Sequence, residues 1–197
     1  MTIKKYISGL VFICSLSSYG NAFAEVESWY TYWSAGVSRT TYPAEAELII
    51  QQIENTPGVD RTQVAVDVFG FYWPINNNQI AGFVMHGNGD TFKDANTELS
   101  YTHALYSLST MRFFGKEIGQ GLFLRGDAGG AKILARLKTT GIEEELESDW
   151  GVGVLGAVGY GFPMSSESRL LLSVEFSQRK IERETFKSTA FVVSGLW

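Results

Sequence analysis

The sequence predicts an all-β protein, an eight-stranded antiparallel up-and-down transmembrane barrel with one short helix in the first extracellular loop. Three observations predict it. Eight segments of the 197-residue chain have strand period, their connections alternate between long polar stretches and short turns, and no apolar run after the first segment has the length of a membrane helix. Strands can enter lipid only as a closed barrel, because every backbone N–H and C=O needs a partner there.

The start of the chain has the pattern of a cleaved export signal. Two lysines precede a short apolar run, and Ala22-Phe23-Ala24 fits the small-x-small rule for cleavage. We therefore expect a signal peptide at 1–24 and a barrel domain at 25–197. Cleavage removes the only cysteine, Cys14, and the loss of two lysines moves the net charge from −5 to −7. The mature chain then has no thiol chemistry, and its acidity argues against nucleic-acid binding.

The predicted strands are segments in which apolar and other side chains alternate, with Tyr and Trp gathered at several ends, as at bilayer interfaces. They are Ser28–Ser38, Gln63–Trp73, Gln79–His86, Leu99–Phe114, Leu122–Leu137, Trp150–Phe162, Leu170–Ser177 and Thr185–Trp197. The later polar connections are predicted at Gly87–Thr97, Thr139–Asp149 and Gln178–Glu184. In the second segment, alternation predicts an inward face of Ala65, Asp67, Phe69 and Phe71, and an outward face of Val64, Val66, Val68, Gly70 and Tyr72.

The first long connection contains a helical pattern. Within Pro43–Asn55, Ala46, Ile49, Ile50 and Ile53 fall at i, i+3, i+4 and i+7, which is one stripe of a helix. Proline suits the first turn, and Thr-Pro-Gly follows the last. An apolar stripe must be buried, and two hypotheses stay open: the helix covers the outer mouth of the barrel, or it docks on a partner or on the outer leaflet.

At this point the mature chain resembles the small eight-stranded outer-membrane β-barrels of Gram-negative bacteria, of the OmpA-domain and OmpX type. The resemblance rests on the signal, the eight strands, the absence of a mature cysteine and the aromatic end of the last strand. It implies an outer-membrane location at the cell surface, contact with lipid and lipopolysaccharide, and a monomer. It also implies that the assembly machinery of the outer membrane recognises the last strand through Phe191, Val193, Gly195 and Trp197.

Three charged residues are predicted inside the barrel. Arg125 and Asp127 share one parity of their strand, and Glu175 shares it in a later strand. The functional hypothesis is a polar relay or a narrow, porin-like pore. We favour an interior lattice of salt bridges, because side chains fill an eight-stranded barrel and an unpaired buried charge is costly. The glycine face after Trp150 is either a channel wall or, as we favour, space for a bulky neighbour such as the loop helix.

His86 and His103 are the only histidines, and they flank the second long connection near the predicted outer rim. A histidine beside a serine and an acid can activate a hydroxyl for acyl transfer, so both are weak catalytic candidates. Their spacing matches no motif of a lipid A-modifying enzyme, and rim histidines also serve as hydrogen-bonding loop residues. The four glutamates of Glu143–Glu147 lack the spacing of a calcium loop, so we expect no metal and no cofactor.

The function expected from these observations is a structural or surface-interaction role without evident catalysis. The mechanism is the display of loops on a rigid scaffold. Two alternatives stay open. One is a lipid A-modifying outer-membrane enzyme, and the other is a soluble periplasmic lipocalin-like barrel that binds an apolar ligand. An apolar outer belt distinguishes a membrane barrel from the soluble one.

Overall fold

The computed structural model describes residues 29–197, so the predicted signal peptide lies outside the described part of the chain. These residues form one helix, α1 (Ala44–Glu54), and nine strands. The strands are β1 (Tyr30–Thr41), β2 (Asp60–Asn76), β3 (Gln79–Lys93), β4 (Thr97–Phe113), β5 (Gly121–Thr139), β6 (Ile142–Glu147), β7 (Gly151–Pro163), β8 (Arg169–Ile181) and β9 (Glu184–Leu196).

Eight of the strands close a barrel. Each is antiparallel to its neighbours in chain order, β1 pairs with β9, and β4 pairs with β5, so that β1–β5 and β7–β9 form a ring without an edge. The ninth strand, β6, pairs with the outer end of β5 and extends above the ring. The predicted fold class is therefore confirmed, including the short helix after the first strand.

Three predicted polar loops are shorter than expected. The stretch Gly87–Thr97 is mostly strand, because β3 continues to Lys93 and β4 begins at Thr97. Asn88 and Asp90 are fully buried there, so their polarity belongs to the barrel interior and not to a loop. The predicted acidic loop contains β6, and the last polar connection reduces to the turn between β8 and β9.

A bulge in β2 reverses part of the predicted alternation. Val68 pairs with Met85 and Phe71 pairs with Phe83, so β2 holds one more residue than β3 in this interval. The extra residue is Phe69, which has a φ of 53° and a side chain that is 75% exposed. Beyond the bulge, Tyr72 is buried and Phe71 stacks on outward rings, so the prediction for this end of β2 is wrong.

The outer surface of the barrel is an apolar belt between two groups of aromatic rings. One group includes Trp29, Trp33 and Trp197, and the other includes the pair Tyr106 and Trp150, with ring centroids 5.5 Å apart. Between them the exposed side chains are aliphatic or aromatic, among them Val66, Leu108, Leu122, Leu124, Val154, Val158, Val174, Phe176, Phe191 and Val193. Such a belt fits the hydrocarbon core of a lipid bilayer, with the aromatic rings at its two interfaces with water. Within residues 29–197, no helix has the length and hydropathy of a membrane span.

Buried apolar side chains close the interior at both ends. At the end where β1 begins and β9 ends, they are Tyr30, Tyr32, Tyr72, Ile80, Val84, Met111, Phe113, Ile118, Phe123, Leu171 and Leu196. At the outer end, Tyr42, Ile50 and Phe92 form a second cluster, to which α1 contributes Ile50 with Ala46 and Ile53 packed beside it. The helix therefore covers the outer mouth, but Ile49 is 58% exposed and faces away from it, unlike the predicted stripe.

The glycine face of β7 does admit bulky neighbours, but the helix is not one of them. A Cβ on Gly159 would lie 2.6 Å from two ring carbons of Phe123, and one on Gly153 would lie 2.9 Å from Leu105 and 3.2 Å from Arg179. The side chains of Phe123, Leu105 and Arg179 therefore pack against these glycines inside the barrel.

Candidate functional site in the barrel lumen

Arg125 on β5 is the centre of a buried polar cluster between the two apolar ends. Its Nη1 and Nη2 donate to the two carboxylate oxygens of Asp67 on β2, both at 3.0 Å. Its Nε donates to Asp127 at 3.0 Å, and its Nη1 donates to Glu175 on β8 at 3.2 Å. One guanidinium thus holds three carboxylates in a site without solvent exposure, where each charge depends on its partners.

Hydroxyl groups from other strands complete this cluster. The Ser34 hydroxyl donates to Asp67 at 2.6 Å, and the Tyr32 hydroxyl accepts from Arg125 at 3.0 Å. On the other side, Ser109 donates to Asp127 and accepts from the Tyr72 hydroxyl at 2.8 Å. These contacts satisfy most of the remaining lone pairs, as a buried ionic network requires.

His86 joins the cluster from β3. Its Nδ1 lies 2.9 Å from Asp67 Oδ1 and 3.6 Å from Glu175 Oε2, and its Nε2 lies 3.1 Å from the amide oxygen of Asn88. The imidazole is only 1% exposed and faces the lumen. His86 was expected at the end of its strand near the outer rim, but it lies within β3, which continues to Lys93.

His103 lies in a separate outer layer. Its Nε2 lies 3.4 Å from the Tyr42 hydroxyl, which donates to Asp90 Oδ2 at 2.8 Å, and Arg61 donates to the same carboxylate. Burial raises the pKa of the Tyr42 phenol, and the charge of Asp90 raises that pKa further. The phenol therefore remains a hydrogen-bond donor at the base of the connection that carries α1.

Several buried polar atoms have no hydrogen-bond partner among the described residues. They are Glu175 Oε2, Asn88 Nδ2, His103 Nδ1, and Nε and Nη2 of Arg179. Arg179 is fully buried, donates only to Ser177 at 3.0 Å and forms no ion pair with a described carboxylate. Burying a polar atom without a hydrogen bond costs free energy. These atoms therefore mark the part of the lumen where hydrogen bonding is least satisfied.

The two predicted groups of site residues lie in different places. Arg125, Asp127 and Glu175 meet in the lumen, whereas Phe191, Val193 and Trp197 are on the lipid face of β9, with Gly195 beneath the Trp197 ring. Sequence reasoning missed Asp67, His86 and Asn88 as members of the lumen site. The signal for Asp67 was present, since it shares the inward parity of a strand whose other face is valine.

The closed ring, the apolar belt and its aromatic borders define a transmembrane β-barrel, with the fold of small Gram-negative outer-membrane barrels. No protein-family model matches the chain, and no curated protein matches it.

Several solved structures share the fold. Ail, the attachment invasion locus protein of Yersinia pestis, in complex with the heparin analogue sucrose octasulfate, aligns with a TM-score of 0.50 and 8% identity over 87% of this chain and 100% of that chain. A second structure of Ail aligns with a TM-score of 0.48 and 10% identity, over 87% of this chain and 99% of that chain. Neisserial surface protein A aligns with a TM-score of 0.46 and 12% identity, over 86% of this chain and 96% of that chain.

Proposed function

We propose that this barrel is a surface-interaction protein, which presents a raised β-sheet above the outer leaflet on a scaffold that is rigid and closed. The observation that carries the proposal is the outer extension of the sheet. Tyr106 and Trp150 mark the outer aromatic border, yet β4 begins at Thr97 and β5 continues to Thr139 before the chain turns into β6. The filled lumen supports a role at the surface in preference to one in transport.

The β5–β6 hairpin offers an open edge to a partner. In the described sheet, β6 pairs with β5 on one side and with no strand on the other. An unpaired edge presents a row of N–H and C=O groups that can bind an extended peptide as an additional strand. On the face that continues the barrel interior, Ile142 and Leu146 are 54% and 71% exposed, so this edge also offers apolar contact.

The charges of the hairpin indicate the chemistry of the partner. Glu143 and Glu145 pair with Arg136, and Glu147 pairs with Lys132, across the outward face. Glu144 lies between the two exposed apolar side chains and forms no ion pair among the described residues. Ile142, Glu144 and Leu146 share one face of β6. A partner strand would complement this edge if its matching face presented apolar, basic and apolar side chains at every second position.

This preference differs from the ligand in the Ail complex. Sucrose octasulfate is a polyanion, and the hairpin of this chain carries four glutamates in six residues. A similar fold is no evidence of a shared ligand between two proteins of such low sequence identity. We therefore propose a basic polypeptide partner and not a sulfated one.

Binding of two synthetic peptides to the barrel in lipid nanodiscs tests this proposal. One peptide repeats Val-Ser-Lys-Ser, which places valine and lysine in turn on one face, and the other repeats Val-Ser-Glu-Ser. The basic peptide should bind to the wild type, and the double variant Ile142→Ser with Leu146→Ser should lose most of that binding. The matched control is Leu48→Ser with Ile49→Ser, which removes equally exposed apolar groups from α1. No binding by the basic peptide, or equal binding by both peptides, would refute the proposal.

The proposal also covers export of the chain and its insertion into the outer membrane, which involve the export signal and the last strand. We propose that the segment 1–24 is cleaved on export and that the assembly machinery recognises Phe191, Val193, Gly195 and Trp197. The lipid-facing position of the aromatic ends supports this role. Replacement of Trp197 by alanine should reduce the amount of heat-modifiable barrel in outer membranes while the purified chain still refolds in detergent. Equal amounts in membranes would contradict it.

The alternatives have less support. Acyl transfer to lipid A requires a catalytic group that reaches lipid, and the imidazoles of His86 and His103 are both buried in the lumen. A soluble lipocalin-like barrel requires an apolar cavity inside and a polar surface outside, and the described residues have the reverse pattern.

A further inference from the structure

We infer that the lumen cluster binds one divalent first-row metal ion, such as Zn²⁺, through His86, Asp67 and Glu175. The inference does not depend on the hairpin or on the proposed surface role. These three side chains come from β3, β2 and β8, and one ligand atom of each lies within 4.8 Å of the other two. All three residues are at least 98% buried.

The distances suit one ion with small adjustments. His86 Nδ1 lies 2.9 Å from Asp67 Oδ1 and 3.6 Å from Glu175 Oε2. Zinc bonds of about 2.0–2.2 Å at tetrahedral angles place ligand atoms about 3.3–3.6 Å apart. The first separation must therefore widen, and the second already lies at the long end of this range. Glu175 Oε2 has no hydrogen-bond partner among the described residues, so it is free to become a ligand.

The orientation of His86 is that of a metal ligand. Its Nε2 lies 3.1 Å from the amide oxygen of Asn88, and with the Asn88 amide in this orientation the tautomer that forms a hydrogen bond carries its proton on Nε2. In the neutral imidazole, Nδ1 then presents a lone pair to two carboxylate oxygens, which repel it unless a cation lies between them. A histidine that binds a metal through one nitrogen usually donates its other N–H to such an acceptor.

The charges of the cluster favour a divalent cation. Three carboxylates, Asp67, Asp127 and Glu175, are within reach of the single guanidinium of Arg125, which leaves two negative charges uncompensated. A divalent ion cancels them where water cannot. Arg179 acts on Asp67 and Glu175 from a distance but forms no ion pair with them, so its positive charge offsets the excess negative charge only in part. Protons bound within the cluster are the competing way to balance the rest.

Nitrogen and carboxylate ligands favour Zn²⁺ and other borderline first-row ions over Ca²⁺, which takes six or more oxygens. Asn88 and Asp90 continue the row of inward polar side chains along β3 towards the outer mouth. An ion that enters beneath α1 would therefore follow oxygen ligands to the cluster. Three protein ligands leave a further coordination position, which a water molecule would occupy.

Metal content and affinity of the full mature barrel test the inference. The untagged protein is refolded in detergent, shown to be folded by its gel mobility without heating, and titrated with Zn²⁺ in a calorimeter. One ion per barrel should bind, and Co²⁺ should give the visible absorption of a site with nitrogen and oxygen ligands. Glu175→Gln and His86→Gln should each lower Zn²⁺ affinity by more than about 10-fold, the loss that even outer-shell changes cause. His103→Gln, which changes the other buried histidine, should bind like the wild type.

The inference would be overturned by a folded wild type that takes up no Zn²⁺, or by ligand variants that bind it unchanged. Should a ligand variant fail to fold, the wild type still decides, because its metal content after dialysis and its Co²⁺ spectrum need no variant. An imidazole that carries protons on both nitrogens in the presence of excess Zn²⁺, measured by ¹⁵N NMR, would show that a proton and not a metal balances the cluster.

Discussion

The indole of Trp197 stacks on the indole of Trp33, with ring centroids 5.3 Å apart and 21° between the planes. Gly195 lies beneath the Trp197 ring on the lipid face, directly across from Trp33 in the β1–β9 ladder. A Cβ on Gly195 would lie 2.1 Å from a ring carbon of Trp197, so only glycine permits this arrangement. The backbones of Thr31 and Trp197 exchange two hydrogen bonds beside it. The stack therefore joins the first and last strands at the point where the barrel closes.

Substitution of Gly195 by alanine should separate these rings. The loss should be about 0.5–1.5 kcal/mol of unfolding free energy, the usual value of an aromatic pair beyond its buried area. Unfolding in urea from lipid vesicles measures it. Phe114→Ala is the matched control, since this exposed ring has no described ring partner. A Gly195 variant as stable as the wild type would show that the stack contributes nothing to closure.

Deletion of Phe69 should be tolerated. Val68 and Phe71 both face outward and Gly70 faces inward, so removing the extra residue leaves the facing of both halves of β2 unchanged. Deletion of Val66, in the regular part of the strand, should prevent folding because it moves one half to the opposite face. Gel mobility before and after heating distinguishes the two. A chain without Phe69 that never forms a heat-modifiable barrel would contradict this account of the bulge.

This bulge also shows where prediction from sequence stops. Alternation predicted the eight strands, because each strand has one face in lipid and one in the lumen, and the two environments select different side chains. It failed at Tyr72, since nothing in the local pattern indicates that one residue is extra. It also placed a loop at Asn88 and Asp90, because a polar side chain in a lumen and one in solvent look the same in a sequence.

The contacts between side chains inside the lumen could not be predicted from the sequence, for a related reason. The shared parity of Arg125, Asp127 and Glu175 predicted that they face inward, but parity does not give height in the barrel. The stagger between strands decides which inward residues meet. It brought Asp67 to Arg125 and His86 to Asp67, while His103 lies in another layer.

Replacement of Ile50 by aspartate should release α1 from the outer mouth. Ile50 is 3% exposed against Tyr42 and Phe92, whereas its neighbour Ile49 is 58% exposed. The substitution at this buried position should lower the local stability of the docked helix by at least about 2 kcal/mol. This loss corresponds to about 30-fold faster amide exchange in the helix. Ile49→Asp is the control and should leave exchange unchanged. Equal exchange in both variants would mean that the helix does not rest on this cluster.

Replacement of Arg125 by methionine should be among the most damaging single changes in the barrel. It leaves Asp67, Asp127 and Glu175 buried without their shared partner, and such a loss costs about 3–5 kcal/mol. Chemical denaturation in vesicles at neutral pH measures it. Arg112→Met, an exposed arginine on β4, should have little effect. A loss below about 1 kcal/mol for the Arg125 variant would show that the carboxylates have other means of compensation.

The purified barrel should produce no unitary current steps in planar lipid bilayers. Phe113, Phe123 and Leu171 are fully or almost fully buried in the apolar layer at one end, and α1 covers the other. Conductance recordings over both voltage polarities check this, with a known porin in the same bilayer as the positive control. Reproducible steps in the wild type would mean that one of these layers opens.

The lumen cluster takes its members from distant parts of the chain, with Asp67 on β2, Arg125 on β5 and Glu175 on β8. These groups can reach one another only once the ring has nearly formed. Interactions absent from the transition state slow unfolding without accelerating folding. The cluster should therefore lengthen the lifetime of the finished barrel in the membrane while leaving its rate of insertion unchanged.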